Sequence, residues 1–192
     1  MLVLVPTELE SGLLFPTGAP APLAVCGFGL AVAGAGAAHA IAARRQAAEG
    51  GVILVGAAGT YDPSRHPIGS AVVAGSVRCD GIGAGSGEGH RTAADLGFAA
   101  ADSIALGPGP EILSVAAAVG LVGEVVGCWD RYLVVVGEEM EGYAVAVVTG
   151  FFGVDLTIVR GFSNVAGDRD RAGWRMGEAL AAAADIVREL AG

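Results

Sequence analysis

Residues 50–59 read GGVILVGAAG, a short apolar run enclosed by glycines. Consecutive β-favouring residues between glycines predict a buried strand at 52–56. Similar runs predict the strands 2–5, 70–77, 132–137 and 155–160, and the Ala-rich or amphipathic stretches predict the helices 30–48, 139–152 and 174–190. Near-continuous apolar strands interleaved with helices indicate an α/β fold, a three-layer sandwich with a mixed, largely parallel central sheet.

The composition indicates one acidic domain over residues 1–192. Hydrophobic residues make up 53% of the chain, and 20 acidic against 11 basic residues give a net charge of −9. This charge repels phosphate backbones, so nucleic acid is not expected as a partner. The N-terminus has no basic region typical of a signal peptide, which makes a cytoplasmic location the prediction.

Residues 23–43 run without a charge for 21 residues, which is long enough for a membrane span of about 20 residues. The stretch reads LAVCGFGLAVAGAGAAHAIAA and is dominated by alanine and glycine. We therefore predict a short strand, a glycine turn and a buried helix here, and no membrane partner.

No metal or cofactor is expected. The cysteines and histidines are scattered without the spacing of a metal site, and they are Cys26, Cys79, Cys128, His39, His66 and His90. The cysteines are expected to be buried apolar side chains. CGFGLAVAG resembles a dinucleotide fingerprint, but Val32 occupies the position of its third glycine. Motifs of P-loop proteins, α/β-hydrolases and zinc proteases are absent from the sequence.

Glu141 interrupts an apolar helical stripe in EEMEGYAVA, residues 138–146. At helical spacing it shares a face with Val145 and Val148, so its carboxylate should point toward the core. Ligands of open α/β sheets bind beyond the carboxyl ends of the strands. Polar residues follow several predicted strand ends, including Glu10 and Asn164, so we expect a small-molecule site there.

Three motifs carry a resemblance to a known family. They are TELE at 7–10, EEMEGYAVA at 138–146 and VRGFSNVAGDRD at 159–170. In this order they resemble the nucleoside phosphorylase and nucleosidase superfamily, and more narrowly futalosine hydrolase of the futalosine route to menaquinone. CGFG at 26–29, VGAAGTYDP at 55–63 and IGSAVV at 68–73 extend the match, whereas residues 80–130 match poorly.

The resemblance implies a nucleoside phosphorylase-like fold and hydrolysis of the N-glycosidic bond of a purine nucleoside. By similarity, Glu10 activates the water, Glu141 binds the ribose 2′- and 3′-hydroxyls, Met140 packs on the sugar and Asn164 holds the purine. The remaining expected substrate contacts are Gly59, Ser163, Trp174 and Arg175. Cleavage through a ribosyl cation needs a base that activates water, groups that bind the ribose hydroxyls and a contact to the departing purine.

Structural explanations of the same residues stay open. Thr7-x-x-Glu10 fits a capping box, and acidic residues at 138–141 would suit the first turn of a helix. Asn164 by itself is typical of a turn after a strand.

The residue types indicate which nucleophile attacks the bond and which purine is released. Ala57 and Ala58 offer no side chain to a phosphate, which favours water, although Arg65 keeps phosphorolysis open. The amide of Asn164 can donate to a 6-oxo group and accept from a protonated N7, so it favours hypoxanthine over adenine. Futalosine is therefore the expected substrate. The alternatives are an inosine-type or methylthioadenosine-type nucleosidase, a phosphorylase and a non-catalytic nucleoside-binding protein.

Two further expectations concern the pocket wall and the assembly. The glycine-rich segment 80–110 is expected to be a long functional loop or a poorly ordered segment, and Trp129 is a candidate for stacking on the base. Relatives of this kind are usually dimers, so a homodimer or a larger homo-oligomer is expected.

Overall fold

The computed structural model describes residues 1–85, 89–98, 102–120, 132 and 134–192. Within them a nine-stranded sheet has the order β2-β1-β3-β10-β9-β5-β8, and β11 pairs with β3 and β4. The strands of this sheet are β1 (Leu2–Val5), β2 (Leu23–Val25), β3 (Val52–Thr60), β4 (Ala71–Val73), β5 (Ser76–Cys79), β8 (Ser103–Ala105), β9 (Glu111–Ser114), β10 (Val135–Glu139) and β11 (Leu156–Val165). A separate small hairpin consists of β6 (Gly83–Ala84) and β7 (Arg91–Thr92).

β3 is the central strand that positions the site. Its first three residues pair in parallel with β1, its whole length pairs in parallel with β11, and its last two residues pair antiparallel with β10. The ends of β10 and β11 therefore lie beside the end of β3, and the end of β1 lies beside its middle. This is the carboxyl edge at which the sequence predicts a small-molecule site.

Helices cover both faces of the sheet. The helices are α1 (Glu8–Leu14), α2 (Leu30–Ala43), α3 (Arg45–Ala48), α4 (Gly142–Phe152) and α5 (Met176–Ala191), and a short 3₁₀ turn spans Arg171–Gly173. Apolar residues of α2 and α4 pack with Leu4, Leu54 and Ile158 on one face. Those of α1 and α5 pack with Val5 and Val55 on the other. The predicted three-layer sandwich with a mixed, largely parallel sheet is confirmed.

Small residues let the layers approach closely. A side-chain carbon at Gly161 of β11 would overlap the backbone of Ala179 in α5. The glycine in VRGFSN is thus explained by helix–sheet packing. Close approach of this kind packs the helix tightly against the sheet, whereas a larger residue at this position would hold the two layers apart.

The structure corrects several predicted boundaries. GAAG at 56–59 lies inside β3 and not in a loop after it, because β11 pairs with all four residues. The predicted strand 70–77 is divided by residues 74 and 75 into β4 and β5. Glu138 and Glu139 end β10, and α4 begins only at Gly142, so neither acid belongs to the first turn of a helix.

The uncharged stretch 23–43 folds as β2, a glycine turn and the buried helix α2, as predicted. In the described part of the chain, no helix has the length and apolar character needed to cross a bilayer. Cys26 and Cys79 are buried as expected. Cys128 and Trp129 lie outside the described residues. The segment 80–110 contains the short strands β6, β7 and β8 where it is described, so it is not one continuous loop.

Candidate active site

Glu10 sits on the first turns of α1, directly after β1. Thr7 is the N-cap, and its hydroxyl accepts from the Glu10 amide at 3.2 Å, so the capping interpretation is correct for Thr7. The same hydroxyl donates to Glu10 Oε2 at 2.6 Å, and the Ala57 amide of β3 donates to Glu10 Oε1 at 2.9 Å. The cap therefore also fixes the Glu10 carboxylate against the central strand.

Gly56 makes room for charged groups on that strand. A side-chain carbon there would lie 2.9 Å from Glu10 Oε1 and would overlap the guanidinium of Arg160. Arg160 is the register partner of Gly56 on β11. The first glycine of GAAG is thus needed because Glu10 and Arg160 occupy the space that a side chain at this position would fill.

Glu141 precedes α4 as its N-cap residue and is only 4% exposed. Its Oε1 accepts from the Gly29 amide at 3.0 Å, and its Oε2 accepts from Arg160 at 3.3 Å. Burial raises the pKa of the Glu141 carboxyl from its ordinary 4.5 to about 7, with Arg160 opposing the increase and Glu139 adding to it. The inward orientation expected for Glu141 is correct, although it arises at the strand–helix junction and not on a helical face.

Glu139 holds this junction in place. Its carboxylate accepts from the backbone amides of Glu141 at 2.9 Å and Gly142 at 2.7 Å. It also accepts from the Ser114 hydroxyl and from the Arg160 guanidinium, with which it forms a fully buried ion pair. Glu139 and Glu141 therefore have different surroundings. The Glu139 carboxylate binds the backbone of the strand–helix junction, whereas the Glu141 carboxylate points toward Gly29.

Arg160 is the shared counter-ion of these acids. It is completely buried in β11 and pairs with both Glu139 and Glu141. Burial alone would lower the pKa of its guanidinium, but Glu139, Glu141 and Glu10 outweigh that effect and raise the pKa. Its Nε and Nη1 atoms have no hydrogen-bond partner among the described residues. A buried polar atom without a partner is costly, which suggests that a ligand or water completes the site.

Cys26 lies in the field of the same charges. Burial is the largest cause that raises the pKa of its thiol, to about 12, and Glu141 and Glu10 add to the effect. The group is therefore a neutral thiol near pH 7, and its Sγ donates to the Val5 carbonyl at 3.5 Å. A thiolate nucleophile is not available here.

Asn164 lies in β11 and not in a turn after it, at a break in the register with β3. Its Oδ1 accepts from the Ser163 hydroxyl at 2.8 Å, and its Nδ2 donates to the carbonyls of Val165 at 2.8 Å and Asp168 at 3.4 Å. No hydrogen bond between described residues joins it to Glu10 or Glu141. The structure thus places the candidates in two neighbouring groups at the end of β3.

Met140 and Gly59 lie between the two groups. Met140 stands between Glu139 and Glu141 in the chain, and its side chain packs against an apolar cluster with Tyr61, Val119 and Ala166. Gly59 is the register partner of Asn164 on one side and of Glu138 on the other. The group around Arg160 and the group around Asn164 therefore border the same end of the central strand.

The chain is similar to known proteins in sequence and in fold. No protein-family model matches the chain. Among curated proteins, the chain is 35% identical over 153 residues to the futalosine hydrolase of Streptomyces coelicolor. The alignment covers 73% of this chain and 64% of that protein, so the chain spans less than two thirds of the relative's length.

Two solved structures from Helicobacter pylori superpose on almost the whole chain. One is a 5′-methylthioadenosine/S-adenosylhomocysteine nucleosidase and the other a futalosine hydrolase, each with a TM-score of 0.79 and 16% identity. The superpositions cover 98% of this chain and 96% and 95% of the two relatives. The chain has the nucleosidase fold. The resemblance to futalosine hydrolase is thereby confirmed, in sequence by the Streptomyces relative and in fold by the solved structures.

The remaining candidates lie on the segment after β11 of the nucleosidase fold. Trp174 Nε1 donates to the Asp168 carbonyl at 3.2 Å, and the Arg171 guanidinium lies 5.9 Å from the centre of its ring. Arg175 is exposed, pairs with Glu178 and donates to the Ile68 carbonyl at 3.3 Å. A ligand would have to compete with Glu178 for Arg175.

Sequence reasoning did not single out Arg160, Glu139 or Phe28. A signal for Arg160 was present, because a charge within the apolar strand TIVRGF raises the same question as Glu141. Phe28 is 61% exposed and precedes Gly29, whose amide holds Glu141.

Proposed function

We propose that the chain hydrolyses the N-glycosidic bond of a 6-oxopurine nucleoside, with futalosine as the substrate and hypoxanthine as the released base. The observation that carries the proposal is the convergence of Glu10 and Glu141 on the buried Arg160 beside Gly56 of β3. The sequence similarity to a futalosine hydrolase supports the choice of substrate.

Glu141 is suited to bind a vicinal diol. A carboxylate has about four acceptor sites, and Gly29 and Arg160 occupy two of them. Two ribose hydroxyls can take the others. The negative charge then lies beside the sugar as it becomes cationic, where it stabilises the transition state more than the ground state.

Glu10 is suited to activate water. Thr7 and Ala57 fix its two oxygens, and each oxygen keeps one acceptor site. Arg160 Nη1 borders the same Gly56 backbone and has no described partner, so a water there can donate to Glu10 and accept from Arg160. The water then loses a proton to Glu10 as its oxygen attacks the anomeric carbon.

Hydrolysis fits this site better than phosphorolysis. GAAG belongs to a strand, and the Ala57 amide already donates to Glu10. Arg160 is already paired with two carboxylates, which disfavour a dianion beside it. The two carboxylates neutralise Arg160, so its Nη1, which bonds to no described residue, is better suited to a neutral water than to a phosphate dianion.

The base is proposed to bind Asn164. A 6-oxo group can replace the longer of the two bonds that Nδ2 donates, the 3.4 Å bond to the Asp168 carbonyl. Adenine would instead place its 6-amino group, a hydrogen-bond donor, against the Nδ2 donor of Asn164. A mismatched buried pair costs about 1–3 kcal/mol, so adenine nucleosides should react about 5- to 150-fold more slowly.

Incubation of the purified protein with futalosine, inosine and methylthioadenosine, with and without phosphate, tests the proposal. Chromatography should detect hypoxanthine released from futalosine at a rate independent of phosphate. Release that requires phosphate would indicate a phosphorylase, and binding without release would indicate a non-catalytic nucleoside-binding protein. An Asn164→Asp variant should lose hypoxanthine release and gain adenine release, and an unchanged base preference would contradict the role of Asn164.

Assembly and location are also proposals. We propose a homodimer or larger homo-oligomer in the cytoplasm, and the exposed apolar side chains Phe28, Val32 and Phe151 support a covered surface. Light scattering coupled to size exclusion measures the mass directly. A mass of one chain at micromolar concentration would contradict the oligomer.

A further inference from the structure

The backbone of Val119 is held at both its amide and its carbonyl group. Its amide donates to Glu138 Oε1 at 3.0 Å, and its carbonyl accepts from the Arg169 guanidinium. Val119 follows β9, on a stretch without regular secondary structure. Two charged side chains on the backbone of one residue in an irregular segment require an explanation beyond local folding.

Glu138 is a buried acid that the reaction described above does not use. It is 4% exposed, and its Oε2 accepts from the Tyr61 hydroxyl at 3.1 Å. Burial raises the pKa of its carboxyl, while Tyr61, Val119 and Arg169 oppose the increase. Burying this acid disfavours folding unless its partners compensate, so its presence points to a functional role.

Arg169 connects Val119 to the segment that orients Asn164. Asn164 Nδ2 donates to the carbonyls of Val165 and Asp168, and Arg169 is the next residue. The Trp174 indole donates to the same Asp168 carbonyl. Removing Arg169 would therefore free both Val119 and the loop that supplies the acceptors for Asn164.

The clamp lies on the Asn164 side of the site. Gly59 pairs with both Asn164 and Glu138, and residues paired across strands project from the same face of a sheet. Val119 packs in the apolar cluster that contacts Met140, the proposed contact to the sugar. It is also joined through Glu138 to Gly59, which pairs with Asn164, the proposed contact to the purine.

We propose that Glu138 and Arg169 are positioning residues that clamp the Val119 backbone as the wall of the purine pocket and so determine how tightly the base binds. The proposal rests on the proposed function for the identity of the base. Among the described residues, the hydrogen bonds of Glu138 and Arg169 do not reach Glu10, Glu141 or Arg160, so the clamp should affect binding of the base more than cleavage of the bond.

Arg169→Met is the main test, because Arg169 is exposed and its removal leaves the core intact. We expect KM for futalosine to rise about tenfold and kcat to stay within about threefold, as for loss of one charge-assisted hydrogen bond. Affinity for free hypoxanthine, measured by calorimetry, should fall by the same factor. The matched control is Arg188→Met, an exposed arginine paired with Asp185 on α5, which should change neither value.

Glu138 variants test the other half of the clamp. Glu138→Gln keeps an oxygen for the Val119 amide and should leave KM within about threefold, whereas Glu138→Leu should raise KM about tenfold. Glu111→Gln, a carboxylate on β9 that accepts from Ser76, Ser103 and Arg78, controls for general effects of altering an acid inside the fold. Equal KM values for wild type, Arg169→Met and Glu138→Leu would overturn the proposal, as would a fall in kcat with unchanged KM.

Hydrogen exchange of the Val119 amide separates this proposal from the proposed function. Exchange should be at least about tenfold faster in Arg169→Met than in wild type, whether or not the protein cleaves futalosine. If wild type releases no base, the proposed function fails while this measurement still reports on the clamp. Unchanged exchange would overturn the clamp itself.

Discussion

Replacing Glu141 by glutamine should stabilise the protein at pH 8 relative to wild type and have little effect at pH 5. Burial raises the pKa of this carboxyl from 4.5 to about 7 in the folded protein. Between these pH values the folded state keeps a proton that the unfolded chain has lost. The stability contributed by protonated Glu141 is therefore fully present below about pH 4.5 and is lost as the pH rises to about 7.

The magnitude follows from the size of the pKa change. One pKa unit corresponds to about 1.36 kcal/mol, so a rise from 4.5 to about 7 corresponds to about 3 kcal/mol of unfolding free energy. Glutamine has nearly the shape of the protonated acid and never ionises. For a chain of this size, about 3 kcal/mol shifts Tm by about 6–12 °C.

Thermal unfolding followed by circular dichroism at pH 5 and pH 8 measures this difference. The Tm of Glu141→Gln minus that of wild type should be near zero at pH 5 and clearly positive at pH 8. Glu189→Gln, an exposed change on α5, should give the same Tm difference at both pH values. Equal Tm differences for Glu141→Gln at both pH values would refute the reasoning, because Glu141 would then not carry a raised pKa in the folded protein.

Three further predictions concern the same charges. Arg160→Met should lower the unfolding free energy by about 3–5 kcal/mol, because Glu139 would keep a buried charge without its partner; a Tm within about 2 °C of wild type would contradict this. Glu10→Gln should lower kcat for futalosine at least about 100-fold with little change in KM, and full kcat would exclude Glu10 as the base. In wild type, kcat/KM should rise with pH through about 7 as Glu141 ionises, and a profile that is flat from pH 6 to 8 would exclude a requirement for its carboxylate.

Much of the fold could be predicted because the strands of this chain are buried on both faces. Strand 2–5 coincides with β1, and helix 174–190 differs from α5 by two residues at its start and one at its end. The predicted ends of 52–56 and 155–160 were too early. Gly56 and Gly59 read as loop residues in isolation, and only the pairing of β11 along β3 keeps them in a strand.

The sequence alone determined the layered α/β architecture and the acidic character of the site, since apolar runs and motif spacing are properties of the linear chain. It also identified Glu10 and Glu141 as acids with unusual positions. Only the tertiary structure decided that Arg160 neutralises Glu139 and Glu141 and that Glu138 holds Val119. These pairs join residues from distant parts of the chain, and the burial that gives Glu141 its raised pKa arises when α2, α4 and the sheet close around it.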